Sequence, residues 1–267
     1  MESLQVSHLP SAVALLERAS LPGAVASVAR YLRWQPDGAW ASFIDGELAG
    51  MVTLLRFGHV GFIGCMAVDP ARRSRGLGRT LLEHAHAAGR RAGITTFLLE
   101  ATTSGEPLYE KLGYVTEHET CNLGREPAAA SAAGSAADLA DLSPERDAIL
   151  ALDREATGSS RAVMLSGLIA EHRGAVVQRG GLAGYALAVA GRLGPMIARD
   201  PDTGRALIDR VAPACTLASV PTDNAPAIAA FTAHGFAVTR TLRRMRLGPA
   251  IATPPGWLWA LSSPGAG

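Results

Sequence analysis

Between Arg72 and Arg79 the chain reads RRSRGLGR, four arginines and two glycines in eight residues. At the start of a helix such a segment makes an anion site. The first four backbone N–H groups of a helix lack intrahelical partners, and the helix dipole adds about half a positive charge at that end. Gly76 and Gly78 permit a tight path and let those amides approach an oxygen with no Cβ in the way. Arg72, Arg73, Arg75 and Arg79 add charge-assisted, bidentate donors, at least one of which could reach a separate phosphate. The residues alone describe a polyphosphate cradle.

The flanking text supplies the strand and the helix. VGFIGCMAVDP precedes the segment, and Leu77, Leu81, Leu82, Ala85, Ala88 and Ala92 recur after it at helical spacing. This predicts a helix from about Arg79 to Ala92, stopped by Gly93, with Arg90 and Arg91 complementing its C-terminal dipole. Upstream, short helices are expected over Ser11–Arg18 and Ala24–Tyr31. WASFID and ELAGMVTLL are joined by Asp45-Gly46, a strong hairpin signal because both turn positions favour positive φ. Gly58-His59 leads into a third strand. Downstream come a strand TTFLLEAT, a short helix over Pro107–Leu112 and a closing strand from Tyr114.

Spacing narrows the choice of phosphate binder. No GxxxxGK[ST] is present, and GLGRTL has two of the three glycines of a dinucleotide fingerprint. The preceding strand also arrives from hairpins rather than from a βαβ unit. Arg73-Ser74-Arg75-Gly76-Leu77-Gly78 matches R/Q-x-x-G-x-G/A. With AVDP before it and PLYEKLGY after it, the first half resembles the GNAT superfamily of N-acetyltransferases.

The resemblance implies acetyl-coenzyme A as cofactor. Met66, Ala67 and Val68 are then expected along the acetyl-pantetheine arm. The backbone of Arg73, Ser74, Arg75, Gly76, Leu77, Gly78 and Arg79 would hold the pyrophosphate, with Thr80 as an extra donor. Tyr109 falls where family members often place a phenol near the thioester sulfur. A phenol there can protonate the departing thiolate, an effect of about 10²- to 10⁴-fold. Glu100, at the end of TTFLLEAT, is the candidate base. An amide near Ala67 or Val68 would polarise the carbonyl, and direct transfer needs no covalent enzyme intermediate. A thiol nucleophile at Cys65 has no partner histidine in view. His59, His84 and His86 are expected at exposed positions without a catalytic role, Asp69 as a strand terminator, and no metal ligands are assigned.

The second half repeats the first. Leu48-Ala49-Gly50 is echoed by Leu182-Ala183-Gly184, IGCMAVDP by LGPMIARDP, and the segment Tyr109–Tyr114 by Phe231–Phe236. Phe231 stands where the first copy has Tyr109. After Pro70 ten residues precede Leu81-Leu82, whereas five separate Pro201 from Leu207-Ile208. The arginine-glycine loop is what the second copy lacks. The whole chain resembles tandem GNAT proteins with a divergent C-terminal copy. The fold expected is α+β, two GNAT-like domains each with a mixed, mostly antiparallel central sheet flanked by helices. The boundaries drawn are 1–125, an Ala/Ser/Gly-rich linker 126–137, and 138–267. The second domain would bind the acceptor, cover the first domain's cleft or stabilise a pseudo-dimer, and walling the acceptor pocket is the favoured role.

Composition agrees with this class. At 267 residues, 48% hydrophobic and 18% charged, the chain suits two globular domains. The three scattered cysteines read as reduced thiols. The N-terminus carries Glu2 and no basic leader, and no apolar run is long enough to span a bilayer. A cytoplasmic, bacterial protein with no membrane partner is the expectation. A net charge of +1 offers no broad field for nucleic acid. The expected activity is acetyl transfer to a primary amine of a small molecule, amino acid or peptide. The alternative is a non-catalytic acyl-CoA sensor.

Overall fold

The computed structural model describes residues 1–21, 24–126 and 139–267. The expected linker therefore lies outside the described residues, apart from Glu126. Asp45 and Gly46 take φ of 54° and 78°, the doubly left-handed turn of a two-residue hairpin. They join β2 (Ala39–Ile44) to β3 (Glu47–Phe57), which turns at Gly58-His59 into β4 (Val60–Val68). A short β1 (Glu2–Ser3) pairs with the outer edge of β2. One face of this meander is covered by α1 (Leu9–Arg18) and α2 (Val25–Trp34). The other is covered by α3 (Leu77–Arg91), which buries Leu81, Leu82, Ala85 and His86. Each buried leucine contributes about 2 kcal/mol. β5 (Thr96–Ala101), α4 (Glu106–Lys111) and β6 (Val115–Gly124) complete the half.

The order then recurs, as the internal repeat predicts. α5 (Arg146–Thr157) and α6 (Ala162–Glu171) lead into the meander of β7 (Arg173–Gln178), β8 (Leu182–Val189) and β9 (Arg192–Ala198). α7 (Pro201–Val211), β10 (Leu217–Pro221), α8 (Ala225–Ala233) and β11 (Ala237–Leu247) follow. A short β12 (Leu258–Ala260) is added on β9.

The two halves share one sheet of 12 strands, ordered β1-β2-β3-β4-β5-β11-β6-β10-β9-β8-β7 with β12 beside β9. The closing strands have changed places: β11 of the second half lies between β5 and β6, and β6 lies between β11 and β10. The exchange covers the edge that β5 and β10 would each otherwise expose. Charge fixes the register. Arg244 stands opposite Glu100 and pairs with it at 2.9 Å, Arg246 pairs with Glu117 at 2.7 Å, and Arg243 pairs with Glu106. The largest core runs through both halves, joining Leu15, Leu16 and Tyr31 to Leu152, Leu165 and Tyr185. Separate cores lie under α3 and under α7 with α8. Among the described residues no helix is long and apolar enough to cross a membrane.

Candidate active site

β4 and β5 run parallel and pair through Val60↔Thr96, Gly61↔Phe97 and Phe62↔Leu98, and no further. The cause of their parting is a bulge in β4. Gly64 and Ala67 stand opposite Thr53 and Met51, so Cys65 and Met66 share the space facing Val52, with Cys65 at φ 44°. A bulge bends its strand and ends regular pairing. From Ile63 onward the β4 edge facing β5 has no strand partner.

The gap opens into a cavity of about 730 Å³, a size suited to a small-molecule site. One end is the arginine segment. Asp69 accepts hydrogen bonds from the Ala71 amide at 3.0 Å and from Arg18 Nε at 3.1 Å, which shapes the turn after β4. Arg72 donates to Glu47 and to the Ile44 carbonyl, both at 2.9 Å, and so pins the segment to the β2–β3 hairpin. Ser74 and Gly76 are left-handed, at φ 63° and 80°. An ideal Cβ on Gly76 would meet nothing within 4 Å, whereas one on Gly78 would press on Leu108 and Met66 at 3.2 Å. Gly76 precedes α3 and offers no capping side chain, so the first amides of the helix remain available. An open helix end, left-handed residues beside it and the adjoining Arg73 and Arg79 form a donor set that fits a diphosphate.

Among the residues expected to hold a cofactor, Met66 to Val68, Arg73, Ser74 and Gly76 to Arg79 line this cavity, whereas Arg75 and Thr80 do not. The Thr80 hydroxyl donates back to the Gly76 carbonyl at 3.2 Å instead. Arg79 also pairs with Glu83 at 2.8 Å.

Tyr109 lines the cavity from α4, its ring set edge-on to Tyr114 at 5.8 Å. Its hydroxyl makes no hydrogen bond among the described residues, and burial pushes its pKa up to about 12. It stays protonated near neutrality, as a proton donor must. Glu100 also lines the cavity, but its carboxylate is shielded from solvent and bonded through Oε1 to Arg244. Burial raises its pKa against the opposing pull of Arg244. Cys65 is buried, and burial pushes its thiol up to about 12, which leaves a poor nucleophile.

The histidine expectations need correction. His59 is exposed, but His86 is buried and hydrogen-bonded to the Tyr114 hydroxyl at 2.8 Å, while His84 is half-buried against Trp40. Apolar neighbours on a helix one turn apart did not distinguish a buried His86 from a solvated one. Sequence reasoning also missed Arg240, Leu242, Pro264 and Gly265, all of the second half, which line the cavity. The exchange of β11 brings the first two there, and only topology could reveal it.

In the second copy a cavity of about 340 Å³ is lined by Ser159, Arg161, Asp223 and Asn224, without residues from the start of α7. Asp200 caps α7, accepting from the Thr203 amide and hydroxyl, each at 2.8 Å. β12 lies along β9, and the Trp259 ring is so close to Gly204 that a Cβ there would sit 2.2 Å from it. The helix end and the space beside it are filled by the chain itself.

A sheet split between its fourth and fifth strands over an open helix end defines a class of acyl-transfer fold, and sequence families agree. The model described as the acetyltransferase (GNAT) family matches residues 12–114, and one described as an acetyltransferase (GNAT) domain matches residues 149–260. The chain belongs to the GNAT acetyltransferases and carries two such domains in tandem. Acetyl-CoA is the usual cofactor of that family. Solved structures share the fold, among them the following. A Pyrococcus horikoshii chain classed as an acetyltransferase has a TM-score of 0.86 at 21% identity, over 100% of this chain and 95% of that one. A GCN5-related N-acetyltransferase from Sphaerobacter thermophilus has a TM-score of 0.64 at 19% identity, over 94% and 96%. Another from Anabaena variabilis has a TM-score of 0.59 at 13% identity, over 91% and 71%. No curated protein matches this chain in sequence.

Proposed function

We propose that the N-terminal cavity binds acetyl-CoA and that the chain transfers the acetyl group directly to a primary amine. The observation that carries this reading is one continuous cavity joining the open end of α3, the bulged edge of β4 and Tyr109, with the matching helix end in the second copy capped by Asp200. Acetyl-CoA supplies an acyl group already activated as a thioester. Leu77 to Arg79 offer unpaired amides to the diphosphate, and Arg73 adds charge. The edge of β4 at Met66 to Val68 offers backbone groups to an extended arm, with an amide there to polarise the carbonyl. Tyr109 is the side chain that returns a proton to the leaving sulfur. The Glu100 carboxylate is held by Arg244, so its contribution is to keep the β5–β11 seam and the charge of the cavity wall in place. The second domain supplies part of the acceptor end through β11 and the segment at Pro264.

The test is a thiol-release assay with acetyl-CoA against a panel of primary amines, beside direct titration of CoA. Turnover on any amine with saturable CoA binding supports the reading. Binding without turnover leaves a sensor of acyl-CoA, and no binding removes both.

A further inference from the structure

Strand β11 carries arginines at 240, 243, 244 and 246, and the last three each pair with a glutamate of the first half. The Arg240 side chain makes no ion pair or hydrogen bond among the described residues, and the residue lines the cavity. Its position follows from register. Pairing of β11 with β5 ends at Arg243↔Ala101. At about 3.3 Å per residue, Arg240 lies roughly 10 Å farther on, past the end of β5. Alternation puts it on the face of Leu242 and Arg244, the face that also carries Glu100. The same cavity is lined by Ser20 and Leu21 from the α1–α2 connection and by Pro264 and Gly265.

The cavity's charge is one-sided. Glu100 is its only acidic lining residue among those described; its Oε1 is bonded to Arg244 and its Oε2 is buried with no partner among the described residues. A plain ammonium entering beside Arg240 would meet a cation, with the wall's one carboxylate buried against Arg244. An amine that carries its own carboxylate offsets that repulsion and meets a planar fork of donors.

We infer that the acceptor is a small amine bearing a carboxylate, an amino acid or short peptide, and that Arg240 of the second domain binds this carboxylate. The inference rests on the N-terminal cavity being the transfer site. It gives the second domain a part in substrate choice.

The experiment compares free amino acids and dipeptides with their C-terminal amides as acceptors, for the unaltered chain, Arg240→Ala and Arg240→Lys. Arg240 is exposed and unpaired, so the substitutions leave folding largely alone. The expected result is a kcat/KM preference for the free acids of about tenfold or more, near unity in Arg240→Ala and partly kept in Arg240→Lys, with the KM for acetyl-CoA moving less than about twofold. Three outcomes overturn the inference while leaving acetyl transfer standing. They are no preference in the unaltered chain, an equal loss on acids and amides, or a rise in the KM for acetyl-CoA that assigns Arg240 to a cofactor phosphate. If CoA binds and no amine is acetylated, the proposed function fails and the inference with it.

Discussion

Asp200 and Thr203 close the second copy's helix end on itself: both carboxylate oxygens accept from Thr203, one from the amide and one from the hydroxyl, each at 2.8 Å. Gly76 leaves the same end of α3 open. The expected stoichiometry is one CoA per chain. Gly76→Asp places a carboxylate where the diphosphate would lie and forces an L side chain into a φ of 80°, which alone costs about 1–2 kcal/mol. CoA affinity should fall at least about a hundredfold. Asp200→Ala should cost about 1 kcal/mol of stability through the lost cap without changing affinity or stoichiometry. Calorimetric titration of both variants reads the outcome, and undiminished binding by Gly76→Asp would remove the diphosphate from this loop.

Tyr109 and Phe231 occupy equivalent places in the two copies, so the fold accepts a ring without a hydroxyl there. The Tyr109 hydroxyl makes no hydrogen bond that Phe would break. Tyr109→Phe should therefore leave the unfolding midpoint near its original value and the Kd for CoA within about twofold. Turnover should drop by about 10²- to 10⁴-fold if the phenol donates its proton in the transition state. Steady-state kinetics beside a binding isotherm separates the roles: an unaltered kcat reduces Tyr109 to packing.

These two sites differ in how far the sequence could reveal them. The Gly76 cradle was legible because its signals are local, namely glycines at fixed spacing, an apolar strand before and a helical period after. The hairpin at Asp45-Gly46 was legible for the same reason, and the tandem repeat because three segments recur in order. The exchange of β6 and β11 was not. Both strands carry ordinary period-two patterns, and nothing local states which β5 edge a strand will join. Arg240 and Leu242 were therefore invisible as cavity residues. Glu100 was recognised as close to the cleft, but its cross-strand partner Arg244 lies 144 residues away. His86 was misplaced because its partner, Tyr114, lies beyond the helix that carries it.

His86 makes stability depend on pH. Burial, with Arg90 nearby, lowers its pKa to about 4, against about 6.5 in an unfolded chain. The folded state thus prefers the neutral ring, and the unfolded state takes the proton first as pH falls. The contribution is complete above about pH 6.5 and is lost progressively down to about pH 4, about 3 kcal/mol at most and less by whatever solvent screens the ring. Urea unfolding at intervals across this window measures the slope. His86→Gln keeps a polar partner for the Tyr114 hydroxyl and cannot titrate, so its curve should be flatter by that amount. An unchanged slope would place the proton uptake elsewhere.

The pair Asp153–Arg161 tests whether the second domain holds the tail that walls the cavity. Both side chains are almost wholly buried, with the guanidinium on the carboxylate at 2.5 Å and 3.0 Å and Tyr185 donating to the same carboxylate at 2.5 Å. Arg161 Nη1 also donates to the Gly267 oxygen at 2.9 Å, and the segment it anchors contains Pro264 and Gly265. Arg161→Met leaves Asp153 buried without its counter-charge, which should cost about 3–5 kcal/mol. The double variant Asp153→Leu, Arg161→Met removes both charges together and should recover most of that loss. Packing does not restore the bond to Gly267, however. If the anchor positions the wall, the double variant should remain folded yet show a raised KM for the amine with the KM for acetyl-CoA little altered. Equal shifts in both constants, or none, would leave the pair with stability as its whole task.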